Sequence, residues 1–336
     1  MENVTRYKIL VSTHGNSTIA GQLSPDNEIS VSLNVPIFAG VSYLMINFVI
    51  WIAIILGNLL VVESFRTEHS LRKSGTNMIL FSMAVTDLLT GAIGLPLHVT
   101  GRILKSSLTC SSATRALMFL PGFFFCGLSL AHILFLAVER YIAVCKPIVH
   151  RRFISLRCIN NLLLTLWLIV LVNCFITFLT RILSTKDDPQ TFTCDSFQLG
   201  EGSAAKAYEL FVACLILCFF LLMVLCYARI YVVAVKFAKR RQGEDVDRRK
   251  QVFSTTITTA IVVSVCGICW LPTTVKYICR SYSSFNKEGF LLLFMICEIV
   301  LYFNSVINPV IYGYRIPEFR RAYGIVLTRL RGRVTE

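Results

Sequence analysis

Seven long apolar segments dominate this chain and limit the folds that it can adopt. Each is about 20 residues long or longer, enough for a helix to cross the roughly 30 Å hydrocarbon layer of a membrane. The chain has 336 residues, and its 55% hydrophobic content exceeds the roughly 45–50% of soluble domains. The sequence therefore predicts an all-α membrane protein, a seven-transmembrane helix bundle. The predicted spans are 38–65, 75–100, 111–145, 156–181, 204–237, 252–279 and 287–314.

Charge predicts how these spans are oriented. About two thirds of the 33 lysines and arginines fall in loops on the side that holds the C-terminus, and positive charge stays cytoplasmic. An odd number of spans then puts the N-terminus outside. Residues 1–37 are predicted to be an extracellular, disordered tail, with glycosylation sequons at Asn3 and Asn16. The bundle is predicted to cover residues 38–314 and the cytoplasmic tail residues 315–336.

Polar side chains interrupt the apolar segments. Such groups cost free energy in hydrocarbon unless they are paired, and they are often functional. Taken singly, each also has a structural explanation, such as an interhelical hydrogen bond or a kink. In chain order they are Asn58, Asp87, Ser129, Glu139-Arg140-Tyr141, Trp167, Trp270 with Pro272, and Asn304, Asn308-Pro309 and Tyr312.

In this order, with a characteristic feature in each of six spans, the motifs resemble those of rhodopsin-like (class A) G protein-coupled receptors. The resemblance extends from about residue 38 to residue 323. It implies a plasma-membrane receptor, not an enzyme and not a nucleic-acid-binding protein. Such a receptor binds an extracellular ligand within the bundle and activates a heterotrimeric G protein by outward movement of the sixth helix.

The resemblance assigns roles to residues of the cytoplasmic half. Glu139 is expected to hold Arg140 at rest and to release it toward the G protein on activation. The acidic residue that often restrains this arginine from the sixth helix is replaced by Val252, so we expect basal signalling. The expected coupling residues are Glu139, Arg140, Tyr141, Tyr227 and Tyr312, and the expected activation switch is Trp270, Pro272, Asn308 and Pro309.

A sodium site is expected at the middle of the bundle. In this family a carboxylate together with hydroxyl and amide oxygens holds a sodium ion, an allosteric modulator that favours the resting state. By resemblance, the four positions are Asp87, Ser129, Asn304 and Asn308. No other cofactor is expected.

The expected ligand pocket is mostly apolar. By position it contains Met118, Phe119, Gly122, Phe123, Phe211, Trp270, Thr274, Tyr277, Phe294, Glu298 and Tyr302. Amine receptors carry an aspartate at the position of Gly122, and opsins carry the retinal lysine at that of Tyr302, so neither ligand class is expected. Glu298 has two interpretations: an ion pair with Lys276, Arg102 or Arg115, or a counter-ion for a cationic ligand.

The chain also departs from the family pattern. Cys110 and Cys194 are expected to form an extracellular disulfide, with Cys279 as a third possible partner and two free thiols as the alternative. Because Arg115 occupies the position of the outer cysteine of the third helix, this disulfide would be displaced from its place in the family. Phe219, Leu130 and Cys266 are expected to replace the residues that link ligand contact to helix movement. These departures weakly resemble the group of melanocortin, lysophospholipid, cannabinoid and adenosine receptors.

The cytoplasmic tail is expected to form a short amphipathic helix that begins at Pro317 and lies on the anionic inner leaflet of lipids. Thr328 and Thr335 are its only serine or threonine residues, so weak arrestin recruitment is expected. A transporter or an intramembrane enzyme is the alternative function. The sequence shows neither repeated halves nor histidines at metal-ligand spacing.

Overall fold

The computed structural model describes residues 30–31, 37–105, 112–184, 203–239, 246–282 and 287–334. Seven of its helical segments are long and apolar enough to cross a membrane, as the sequence predicted. The helices are α1 (Ile37–Thr67), α2 (Gly75–Leu89), α3 (Leu95–Ile103), α4 (Ser112–Cys145), α5 (Pro147–Phe153), α6 (Leu156–Ser184), α7 (Ser203–Lys239), α8 (Val246–Tyr282), α9 (Lys287–Arg315) and α10 (Pro317–Val334). A short 3₁₀-helix, His69–Lys73, joins α1 to α2.

The third span, α4, lies at the centre of the bundle. It packs against α2, α6, α7 and α8, while α1 packs against α2 and α9, and α8 packs against α9. Large apolar side chains cover the outside of α6 and α7, as expected for helices that face lipid. The other six spans are therefore packed around α4, directly or through a neighbouring helix, with the buried polar residues inside. We call the end where α1 begins the N-terminal end of the bundle, and the end where α9 finishes its C-terminal end.

The second span is bent. It consists of α2, a π-helical turn at Thr90–Gly94, and α3. Pro96 follows this turn and lacks the backbone N–H that a regular helix needs, which favours a bend here. At the bend the backbones of two helices come close, since a Cβ atom on Gly94 would lie only 3.1 Å from the Cα of Gly122 in α4. The bent segment carries His98 and Arg102 toward the interior, where both are buried.

A two-residue strand precedes the first span. Ser30–Val31 (β1) pairs antiparallel with Leu104–Lys105 (β2) at the end of the second span. The sequence predicts a disordered tail for residues 1–37, which is wrong for Ser30–Val31 and for Ile37, where α1 begins. Their backbone pairs with β2, which side-chain composition does not predict.

The helix after the seventh span, α10, has 18 residues. Phe319, Ala322 and Val326 form its buried face, while Arg320 and Arg321 are exposed, so the predicted amphipathic helix is confirmed. The Tyr323 hydroxyl donates a hydrogen bond of 3.0 Å to the Pro309 carbonyl. Burial raises the pKa of this hydroxyl, which keeps it a neutral donor.

Candidate functional site: three polar clusters along one bundle

A buried carboxylate, Glu298, lies near the N-terminal end of the bundle and is only 3% exposed. Arg102 donates from Nε to Glu298 Oε2 over 3.2 Å and from Nη2 to Oε1. His98 Nε2 lies 3.0 Å from Oε2, and the Tyr43 hydroxyl donates to the same oxygen over 3.3 Å. One carboxylate thus ties together the first, second and seventh spans.

A second buried cation, Lys276 of the sixth span, lies close to this cluster and is 2% exposed. Its Nζ atom lies 4.3 Å from the ring centroid of Phe294 and 4.7 Å from that of Tyr277. The guanidinium of Arg102 lies 5.7 Å from the same Phe294 ring. The negative face of an aromatic ring attracts cations, and Phe294 therefore contacts two of them.

These contacts support one of the two interpretations of Glu298. It forms the internal ion pair, and Arg102 is its direct partner. A carboxylate that already accepts from an arginine and a tyrosine has little capacity left for a cationic ligand. The sequence signal was limited to a list of nearby basic residues, and the participation of Tyr43 was not foreseen.

The predicted pocket residues lie mostly inside the bundle, around His98. The His98 ring makes edge contacts with Phe119, Phe123 and Tyr302, at centroid distances of 4.9, 6.0 and 5.8 Å. Phe211 is the exception: it is 60% exposed and lies on the outside of the fifth span, so its assignment to the pocket is wrong. The remaining predicted positions are buried or half-buried: Met118, Phe119, Gly122, Phe123, Trp270, Thr274, Tyr277, Phe294, Glu298 and Tyr302.

Tyr302 of the seventh span leaves no room for a side chain at Gly122. A Cβ atom at this position would lie 2.7 Å from the Tyr302 hydroxyl, closer than real Cβ contacts allow. An aspartate cannot be placed there without moving Tyr302. The position that carries the amine counter-ion in amine receptors is therefore closed by a tyrosine hydroxyl.

The middle of the bundle contains Asp87, which is completely buried. Ser305 Oγ donates to Asp87 Oδ1 over 2.7 Å, Asn308 Nδ2 donates to Oδ2 over 2.8 Å, and Ser129 Oγ lies 3.3 Å from Oδ1. Ser129 and Asn308 were predicted here. Ser305, which makes the shortest of these bonds, was not in the predicted set.

The amide oxygens of the same region fit a monovalent cation. Among the described residues, Asn304 Oδ1 and Asn308 Oδ1 are buried without a hydrogen-bond partner. Buried oxygens of this kind normally have one. A carboxylate with hydroxyl and amide oxygens is a donor set for a hard cation. Within the described ranges no group of three or more His, Cys, Asp and Glu side chains could hold a metal ion.

Asn58 connects the first span to this cluster. Its Nδ2 donates to the Ile54 carbonyl of its own helix over 3.0 Å and to the Ser305 carbonyl of the seventh span over 3.1 Å. Pro309, four residues after Ser305, removes the helix hydrogen bond that would occupy that carbonyl. The proline and the asparagine are therefore two parts of one interhelical contact.

At the C-terminal end of the bundle, Arg140 is paired with Glu139. Its Nε and Nη2 atoms donate to the two carboxylate oxygens, each over 2.6 Å, and both side chains are buried. His150 of α5 places its Nε2 atom 2.9 Å from Glu139 Oε1. The predicted pair is present, and His150 is a further contact that no motif indicated.

The predicted switch residues lie in the core between the two ends. Trp270 and Cys266 of the sixth span are buried in the same apolar cluster as Leu130, and Phe219 packs against it. Tyr312 is fully buried, with its ring centroid 5.8 Å from that of Phe319. Tyr141 is half-buried, and so is Tyr227, which packs against the core. Pro272 lies within α8.

A polar relay links the second, third and fourth spans. Trp167 Nε1 donates to Ser82 Oγ over 3.1 Å, and Ser82 Oγ lies 2.7 Å from His132 Nε2. His132 Nδ1 lies 2.7 Å from the Leu128 carbonyl. Since a carbonyl only accepts, Nδ1 carries the proton, and Nε2 accepts the Ser82 hydroxyl proton. The sequence pointed to Trp167 but not to its partners.

Some predicted features fall outside the described residues. These are the cysteines of the predicted disulfide, Cys110 and Cys194, and the sequons at Asn3 and Asn16.

Comparison with known proteins agrees with this arrangement. Residues 57–312 match the family model of the "7 transmembrane receptor (rhodopsin family)". Trace amine-associated receptor 6 of Homo sapiens is 25% identical over 95% of this chain and 95% of its own. Adenosine receptor A2b of Gallus gallus is 23% identical over 86% of this chain and 89% of its own. Melatonin receptor type 1A of Mus musculus is 27% identical over 82% and 77%.

Proposed function

Because the chain belongs to the rhodopsin family of seven-transmembrane receptors, we propose that ligand binding at the N-terminal end of its bundle frees Arg140 at the other end to engage a G protein. The protein is a G protein-coupled receptor, and this family assignment favours neither the transporter nor the enzyme. The proposal places it in the plasma membrane with the N-terminus outside. The charge asymmetry of the loops supports that orientation.

The observation that carries the mechanism is the buried pair of Arg140 and Glu139. Two hydrogen bonds of 2.6 Å hold the guanidinium inside the bundle, where it cannot reach a cytoplasmic partner. Charge-assisted pairs of this geometry are strong and directional. We regard this as the resting arrangement, and activation breaks the pair.

His150 modifies this resting arrangement. It shares Oε1 of Glu139 with Arg140, so it tethers the short helix α5 to the motif. When Arg140 leaves, His150 would remain the partner of Glu139, so α5 would stay tethered to the motif while the guanidinium becomes available to a G protein. The sixth helix supplies the larger movement, with Pro272 as the position where it bends.

A sodium ion is proposed as the modulator of this equilibrium. Asp87, Ser129, Asn304 and Asn308 would hold it, together with Ser305, which the structure places on the same carboxylate. The ion would supply a positive charge beside Asp87. Without the ion, Ser129, Ser305 and Asn308 would remain the hydrogen-bond partners of Asp87.

The ligand does not follow from the names of the relatives. Amine receptors bind their ligand through an aspartate at the position of Gly122, which Tyr302 closes here. The other acidic group of this region, Glu298, is engaged by Arg102. These two observations argue against an amine for this chain.

Two regulatory features are part of the proposal. The absence of an acidic residue at Val252 removes one restraint on Arg140, so basal exchange above that of empty membranes is expected. Residues 315–336 contain only Thr328 and Thr335 as serine or threonine residues, so phosphorylation of this segment should support only weak ligand-dependent recruitment of arrestin. Strong recruitment in cells would contradict the second expectation.

The test is ligand-free GTP exchange on a panel of purified G proteins, with the receptor in lipid nanodiscs. Wild type is compared with Arg140→Ala and with Arg329→Ala, which removes the same charge from an exposed position on α10. The mechanism predicts a GTP exchange rate above that of empty discs for wild type and for Arg329→Ala. Arg140→Ala should lower this rate to that of empty discs. Equal exchange in both variants would refute the role of Arg140.

A further inference from the structure

His150 of α5 contacts the same carboxylate that holds Arg140. Its Nε2 atom lies 2.9 Å from Glu139 Oε1, the oxygen that also accepts from Arg140 Nη2 over 2.6 Å. An ionised carboxylate only accepts hydrogen bonds, so the Nε2 atom carries a proton and donates it in this contact. In this tautomer Nδ1 can take up a second proton, which would turn the ring into a cation.

Water at the C-terminal end of the bundle reaches His150 more easily than it reaches the ion pair. The His150 side chain is 27% exposed, whereas the side chains of Arg140 and Glu139 are 10% and 2% exposed. The short helix α5 lies between the third and fourth spans, outside the membrane-crossing part of either. An imidazole ordinarily changes its charge between about pH 5 and pH 8, so His150 can exchange protons with this solvent.

The other titratable side chains near His150 keep a constant charge over most of this range. Tyrosine, cysteine, lysine and arginine side chains ordinarily lose their protons only above about pH 8. These are the types found on α5, at its N-cap and in the last turns of α4, against which α5 packs: Tyr141, Cys145, Lys146, Arg151 and Arg152. A change of charge here between about pH 6 and pH 7.5 therefore belongs to His150 or to Glu139.

His150 reduces the cost of releasing Arg140. A buried carboxylate that loses its only partner is costly, but His150 would stay beside Glu139 when the guanidinium leaves. The Thr76 hydroxyl, 3.5 Å from Glu139 Oε2, is a weaker second partner. A neutral His150 leaves the carboxylate with a hydrogen bond, and a protonated His150 leaves it with a full ion pair. The cost of release is therefore lower when His150 carries a charge.

The shared oxygen also fixes the direction of the pH effect. In the resting arrangement a charge on His150 would lie next to that of Arg140, since both groups donate to Glu139 Oε1, and like charges repel. After release, the charge on His150 meets the carboxylate without this repulsion. The released state therefore binds the proton more tightly, and the state that binds a proton more tightly is favoured as the pH falls.

We propose that His150 is a positioning residue for coupling, which holds Glu139 while Arg140 leaves, and that a proton on its ring promotes this release. The inference rests on the proposed receptor function and adds cytoplasmic pH as a signal that regulates it. His150 acts through Glu139 and not through contact with the G protein. Acidification on the cytoplasmic side should therefore raise basal GTP exchange.

The first measurement needs no G protein. Receptor labelled with ¹³C at the histidine Cε1 atoms is titrated by NMR in nanodiscs, and the His150 signal is the one that His150→Gln lacks. Arg140→Ala removes the neighbouring positive charge, as release would. It should raise the pH at which half of His150 is protonated by at least about 0.5 unit. The exposed His69 is the control, and its titration should be the same in both proteins.

The second measurement is ligand-free GTP exchange at pH 6.0 and pH 7.5, with the rate of empty discs subtracted at each pH. For wild type the rate should be at least about threefold higher at pH 6.0, within the roughly thirtyfold limit that one proton sets over this range. The control His69→Gln should show the same increase, since it removes an exposed histidine.

Variants of His150 separate its charge from its hydrogen bond. His150→Gln keeps a neutral donor and should lose the pH dependence. His150→Arg carries a permanent charge, so its exchange at both pH values should equal that of wild type at pH 6.0. A role limited to holding α5 in place would change the rate of exchange but not its dependence on pH.

Two results would overturn the inference. One is a His150 titration that Arg140→Ala leaves unchanged. The other is a pH dependence of exchange that persists in His150→Gln, because the proton would then act on Glu139 or on another group. If Arg140→Ala does not fold, the exchange profiles decide, and if His150→Gln does not fold, His150→Arg replaces it in both measurements.

The two measurements also separate this inference from the proposed function. Exchange that depends on Arg140 but not on the charge of His150 would refute the inference and leave the receptor mechanism intact. A His150 titration that shifts in Arg140→Ala, without exchange on any G protein, would support the link between the two residues and refute the coupling.

Discussion

The ion pair of Arg102 and Glu298 predicts a strongly non-additive double-mutant cycle. At the Nε–Oε2 distance of 3.2 Å, the attraction between unit charges is about 5 kcal/mol at an effective dielectric constant of about 20. Removing one partner leaves the other charge buried, and the resulting loss of stability is about 3–5 kcal/mol. We expect such a loss in Arg102→Gln and in Glu298→Gln alike. The double variant should lose no more than about 2 kcal/mol, because the desolvation cost disappears together with the attraction.

The measurement is the free energy of unfolding of the purified receptor in mixed micelles titrated with a denaturing detergent. The coupling energy is the amount by which the two single losses exceed the loss of the double variant. The surface pair of Glu63 and Arg66 is the matched control, since its atoms lie 3.7 Å apart and its side chains are 44% and 71% exposed. Its coupling should not exceed about 0.5 kcal/mol.

Additive losses in the Arg102/Glu298 cycle would refute the reasoning, since they would mean that the two groups do not interact in the folded protein. A loss below about 1 kcal/mol in Arg102→Gln would be equally damaging. It would show that His98 and Tyr43 satisfy the carboxylate without the arginine.

Three further outcomes follow from the polar contacts. Gly122→Ala should lower the thermal unfolding midpoint, because its Cβ atom would lie 2.7 Å from the Tyr302 hydroxyl. Adding Tyr302→Phe to this variant should restore part of the lost midpoint, and a double variant without any recovery would argue against the clash. Ser82→Ala should cost about 1–3 kcal/mol of unfolding free energy, since it removes the hydroxyl that links the ring nitrogens of Trp167 and the buried His132. A cost near zero would contradict the relay. Asp87→Asn should abolish any dependence of ligand-free GTP exchange on sodium relative to potassium, and a sodium response that persists in this variant would rule out the site.

The number and order of the spans were predictable from sequence because membrane thickness fixes the length of an apolar helix. The pairing of Glu139 with Arg140 was expected from the family resemblance and not from their adjacency, since side chains one residue apart on a helix do not face each other. The grouping of Asp87 with Ser129 and Asn308 came from the family resemblance and not from periodicity. Once the order of the motifs was recognised, these features required no knowledge of loop structure.

The details that were missed depend on how the helices are rotated relative to one another. Ser305 is an ordinary serine in an apolar helix, and it reaches Asp87 only because the seventh span presents that face. Phe211 was placed in the pocket by position, but the fifth span turns it outward. His150 reaches Glu139 from a separate short helix. Rotation of this kind is set by packing across the whole bundle, which no single segment encodes.

The seventh helix connects the clusters of this receptor. Glu298, Tyr302, Ser305 and Tyr312 follow one another at intervals of three, four or seven residues, so they lie on one face of α9. That face meets Arg102 at one end, Asp87 in the middle and Phe319 at the other end. Because these side chains share one helix, any change that separates Glu298 from Arg102 would act on an element that Asp87 and α10 also contact. The ligand region and the cytoplasmic region can therefore bias the same helix, which gives their coupling a physical basis.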